Sequence, residues 1–119
     1  MKHRRAVVLG GLAAAGLLLF ARPAPAEPRL FELSVRAGAL PEDSRVVRVR
    51  QGDDVTIRWT TDKPLTIHLH GYDLEAKLTP GKPVSMRLAA RATGRFAIEV
   101  HAHGSDKERT IGYLEVHPR

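Results

Sequence analysis

Alternation with a period of two runs through this chain from residue 29 to its end, and it limits the fold more than any other feature. In Leu65–Tyr72 (LTIHLHGY), Leu65, Ile67 and Leu69 fall on one face of an extended strand, and Thr66, His68 and His70 fall on the other. Arg29–Ala37 alternates in the same way, with Leu30, Glu32 and Ser34 set against Phe31, Leu33 and Val35. Further strands are predicted at Arg45–Arg50, at Val55-Ile57-Trp59, at Val84–Leu88, at Phe96-Ile98-Val100 and at Ile111–His117. Turn chemistry separates them: Gly38–Asp43, Gln51–Asp54, Thr61–Pro64, Thr79–Lys82 and Thr93-Gly94. Asp73–Lys82 has mixed character and is assigned no strand, and Ala89–Ala92 reads as a short helical or extended piece. No segment carries a long amphipathic helical period. About seven short strands punctuated by turns predict an all-β sandwich or barrel.

The start of the chain is of another kind. Lys2, Arg4 and Arg5 precede an apolar run of 15 residues, Ala6–Phe20, and Ala24-Pro25-Ala26 follows as an A-x-A cleavage site. That order is a secretory signal peptide, and the run is short for a membrane-spanning helix of about 20 residues. The domain organisation predicted is therefore a signal at 1–26 and one domain at 27–119, in a periplasmic or secreted protein. Contact with the membrane follows only if the signal is uncleaved. Arg4-Arg5 fits twin-arginine as well as general export. Of the 19 Lys and Arg, four leave with the signal and all 13 acidic residues stay, so the net charge falls from +6 to +2. With no basic tract left to follow a phosphate backbone, nucleic acid is not an expected partner.

A domain of this size buries only about 60–65% of its unfolded surface. Its aromatic residues are Phe31, Trp59, Tyr72, Phe96 and Tyr113, so the core must be mostly Val, Leu and Ile. The chain has no cysteine. That excludes a disulfide framework, a zinc–thiolate site, an iron–sulfur cluster, a cysteine nucleophile and a blue-copper centre.

The histidines carry the chemistry. His3 leaves with the signal, and His117 near the C-terminus reads as solvated. The other four form two H-x-H pairs, His68-Leu69-His70 and His101-Ala102-His103. On a strand, residues i and i+2 share a face with Cα atoms about 6.5–7 Å apart, close enough for two imidazoles to converge on one ion at metal–nitrogen bonds of about 2.0–2.1 Å. A single H-x-H is commonly no more than a polar strand face. Here two such pairs each end an apolar strand, and each is followed by glycine, Gly71 and Gly104. His68, His70, His101 and His103 are therefore the candidate metal ligands. All-nitrogen ligation suits Cu(II), and also zinc or nickel.

Parity sets a condition on this site. If Leu65, Ile67 and Leu69 face the core, His68 and His70 face outward, and Val100 inward puts His101 outward. Convergence then needs neighbouring strands, or a bend near Gly71 and Gly104. Asp73 and Glu99 lie near the pairs as carboxylates able to accept an imidazole N–H, or as plain surface charges. Tyr72 either lines the site or packs. Trp59 and Met86 read as core, and Ser85 and Ser105 have no triad around them.

Several segments in order resemble the cupredoxin family, in particular cysteine-less cupredoxin-like domains of bacterial periplasmic proteins. They are Gln51–Trp59 (QGDDVTIRW), Thr66–Tyr72 (TIHLHGY), Pro80–Pro83 (PGKP), Thr93–Phe96 (TGRF) and Ile111–Val116 (IGYLEV). The resemblance implies a Greek-key β-sandwich. It places His68 at the family's first histidine ligand, with His70 competing, and His103 at the second. The cysteine position falls on Val100, between His68 and His103, and the methionine position falls near Thr110. Thiolate and thioether are both missing, so the resemblance implies histidine-bound copper and not type-1 electron transfer.

The function expected is copper handling by an exported binding protein: trafficking, buffering or delivery, with a metal ion and another periplasmic metal-handling protein as partners. The alternative is a non-metal binding or interaction module on the same scaffold. No enzyme is predicted. Superoxide dismutases of the copper–zinc type also carry H-x-H on a strand, but this chain lacks their disulfide, and its sequence shows no further ligand cluster for a second metal.

Overall fold

Two sheets face each other across one apolar layer. The computed structural model describes residues 26–119 together with Gly11 and Gly16; the rest of the predicted signal peptide lies outside the described residues. The strands are β1 (Pro28–Val35), β2 (Val46–Arg50), β3 (Asp54–Thr61), β4 (Leu65–Leu69), β5 (Leu74–Leu78), β6 (Val84–Ala89), β7 (Gly94–Ala102) and β8 (Arg109–His117), with a short 3-10 turn at Glu42–Ser44. One sheet has the order β1-β3-β6 and the other β2-β8-β7-β4-β5. The pairs β1–β3 and β2–β8 are parallel, and the rest are antiparallel. The all-β sandwich predicted from the alternation is the fold observed.

The inward faces are those the period of two selects. Val55, Ile57 and Trp59 of β3 are buried, as are Leu65, Ile67 and Leu69 of β4, Ile98 and Val100 of β7, and Leu114 and Val116 of β8. All join one apolar cluster with Leu33, Val35, Val47 and Val49. Each fully buried Val, Leu or Ile contributes about 1.5–3 kcal/mol, whereas an exposed ion pair contributes about 0–1 kcal/mol. The interior therefore dominates the stability of the domain. Met86 and Trp59 lie inside, as expected.

The strand count differs from the sequence reading by one. Leu74–Leu78 (LEAKL) is a strand at the free edge of the five-stranded sheet, paired with β4 from Leu65↔Leu78 to Leu69↔Leu74. Its alternation is present, but Ala76 stands at the inward middle position and Glu75 and Lys77 outward, all weak strand formers. Pairing and burial override that local preference.

Two backbone details shape the end of the sheet that carries the histidines. Gly71 ends β4 at φ +83°, and a Cβ there would lie 2.2 Å from Cδ1 of Phe96, so both conformation and space require glycine. Between Ile98↔Gly112 and Glu99↔Thr110 the β7–β8 register slips, leaving Ile111 as the extra residue of a β-bulge. Such a bulge bends its strand and re-aims what precedes it, here the segment carrying Glu108.

Candidate metal centre

β4 is the axis of the site because it is paired on both sides. Its register sets Glu75 of β5 and Glu99 of β7 directly across from His68, and Lys77 and His101 across from Thr66. Side chains opposite one another share a face, and diagonal neighbours two residues along stay within reach of long side chains. His101 is thus the diagonal neighbour of His68. The neighbouring-strand condition is met.

The outward parity is also met. His68 is half-buried and His70 exposed, on the face away from the apolar layer. Nε2 of His68 lies 3.3 Å from Nε2 of His101 and 3.5 Å from Oε2 of Glu75. Nδ1 of the same ring lies 3.7 Å from Oε1 of Glu108. Nε2 of His70 lies 3.3 Å from Oε2 of Glu99 and 3.7 Å from Oε2 of Glu108. Two sets of donor atoms each lie within 4.8 Å of one another: His68, His70 and Glu108, and His68, Glu75 and His101. A hydrogen bond with Glu99, reinforced by the charge of the nearby imidazoles, holds the Glu108 carboxyl below its ordinary value.

Three of the four sequence candidates are therefore brought together: His68, His70 and His101. His103 is exposed in the turn after β7, and neither set of donors includes it. Glu99 contacts His70 as a neighbouring carboxylate. Asp73 sits in the turn after β4 at φ 52° and lines a depression of about 260 Å³ with His68, His70, Gly71 and Glu75. Tyr72 packs: its ring meets Phe96 edge-on at 4.9 Å and its hydroxyl donates to the Ala92 carbonyl at 3.0 Å. His117 is exposed beside Glu115.

Two corrections follow. Val100 does not stand between His68 and His103. It is buried in the core, paired with Ile67 on the inner side of the sheet, while the histidines occupy the outer side. The ligand position taken from the family resemblance thus belongs to the opposite face. The sequence also missed Glu75 and Glu108. The alternation of β5 was the available signal for Glu75. Glu108 lies in a polar segment and reaches the histidines only because the bulged β8 returns beside β7.

The donor set suits a borderline divalent ion. Imidazole nitrogens and carboxylate oxygens favour Cu(II) and zinc, whereas Cu(I) prefers sulfur, and Met86 is buried on β6 in the other sheet. A cleft of about 670 Å³ lined by Arg29, Arg48, Arg50 and Arg119 shares no residue with this cluster. Its arginines offer no lone pair to a metal.

No protein-family model matches the sequence, and no curated protein matches it. Solved structures do. The blue copper oxidase of Nitrosomonas europaea superposes with a TM-score of 0.65 at 23% identity, over 78% of this chain and 40% of that one. A multicopper oxidase superposes at 0.60 and 19% identity, over 76% and 42%. The solution structure of a copper-binding protein in its apo form superposes at 0.59 and 14% identity, over 79% and 92%. The chain spans less than half the length of the two oxidases. At these identities the likeness is one of fold, and the fold of this chain is a cupredoxin-like β-sandwich.

Proposed function

We propose that this chain is an exported copper-binding protein that holds Cu(II) on the outer face of its larger sheet and passes it on as cargo. His68, His70 and His101 would supply the nitrogen donors, with Glu75, Glu99 and Glu108 as carboxylate donors or imidazole partners and His103 as the fourth histidine candidate. The observation that carries this reading is the 3.3 Å approach of His68 and His101 from two different H-x-H pairs. Two imidazole nitrogens at hydrogen-bonding distance on adjacent strands can both turn their lone pairs to one ion. Copper is favoured over zinc by the fold likeness to copper proteins, added to a donor set that suits both. An open, half-exposed site with labile carboxylates suits release to a partner better than retention. The leader-like residues 1–26 support the exported setting.

The test is a titration of the untagged protein with Cu(II), followed by calorimetry and electron paramagnetic resonance. Tight binding with a pale colour and the spectrum of a tetragonal nitrogen and oxygen site is expected. An intense blue band would require a thiolate that the chain lacks and would overturn the ligand assignment. Absence of binding would favour the interaction-module alternative.

A further inference from the structure

The two sets of donors share a single ring, and they meet it from different sides. Nε2 of His68 faces His101 and Glu75, while Nδ1 faces Glu108, whose second oxygen reaches towards His70. The lone pairs of the two nitrogens of an imidazole diverge, so one ion cannot use both. All the donors of the cluster therefore cannot serve one ion together.

We propose that the cluster is a binuclear site bridged by His68. This rests on the metal-binding reading above and goes further by assigning two places. One ion is held by His68 Nε2, His101 and Glu75, and the other by His68 Nδ1, His70 and Glu108, with Glu99 beside His70. Bridging uses both ring nitrogens. The neutral imidazole of His68 and two dications become an imidazolate spanning two dications, and one proton passes to solvent. Charge agrees with two ions: three carboxylates and one imidazolate carry four negative charges, matching two dications.

The test uses the untagged protein with Cu(II), and Zn(II) as a second probe. Wild type is expected to take up two equivalents of either ion. With copper, the resonance signal per ion at two equivalents should fall well below that at one, because an imidazolate bridge couples the two spins. His70→Ala and His101→Ala should each drop to one equivalent with an uncoupled signal, and His68→Ala should lose the coupling while circular dichroism reports an intact sandwich. Saturation of wild type at one equivalent, or two equivalents without coupling, overturns the bridge and leaves the copper-binding reading standing. Two coupled equivalents retained by His101→Ala overturn the assignment of its place. Failure to bind either ion overturns both readings.

Discussion

Histidine meets carboxylate at two places on the outer face of the five-stranded sheet, with opposite consequences. At the β2–β8 side, His117 lies 3.2 Å from Glu115, but Arg48 and Arg95 approach the same carboxylate at 3.4 and 3.7 Å. Arg95 also stacks over Tyr113, 3.8 Å from the ring centre. Guanidinium donates and never accepts, so this carboxylate is committed to cations that are part of the protein. At the β4–β7 side, three imidazoles stand among Glu75, Glu99 and Glu108, and the ion pairs there join imidazole only to carboxylate. Their lone pairs remain available to an ion. A histidine beside a glutamate is thus no sign of a metal site until the charge on the next strand is known.

The widest expected gap between the two places is in copper affinity. His68→Ala should weaken Cu(II) binding more than about 100-fold, beyond the 10–100-fold cost of losing an outer partner of a ligand, while His117→Ala stays within about twofold. Isothermal titration measures both, and equal losses would erase the distinction. Stability comes next. Gly71→Ala must place a Cβ against Phe96 in the left-handed region and should cost about 2–3 kcal/mol. Gly104→Ala, with φ +79° and open space around it, should cost about 1 kcal/mol. Urea denaturation of the two variants gives the comparison directly, and similar midpoints would mean that the β4 exit relaxes freely.

Acidity should weaken metal binding at the β4–β7 cluster. Protons compete with metal for imidazole nitrogen, so copper affinity should fall roughly tenfold or more between pH 7.5 and 5. Glu108, held below its ordinary value, stays ionised over that range, and the imidazoles set the loss. An isotherm unchanged across it would point to carboxylates as the main ligands. Importing the chemistry of the other side is a smaller perturbation. Glu99→Arg places a guanidinium beside Glu108 and should weaken copper binding about tenfold, with Glu99→Gln milder; a chelator competition in which the two variants match would remove charge as the cause.

Period-two alternation determined the sandwich, the buried faces of β3, β4, β7 and β8, and the outward parity of His68, His70 and His101. Each of those follows from the pleat of a single strand, which sequence records directly. The strand β5 was written in LEAKL in the same code, but too weakly in residue type to be read. What the tertiary structure alone decided is which strands lie side by side. Pairing of β4 with both β5 and β7 set Glu75 and Glu99 across from His68, and the bulged return of β8 delivered Glu108. Strand order depends on the packing of apolar faces contributed from the whole chain, so no local segment encodes it, and a site assembled across three strands and a loop becomes visible only when those faces have met.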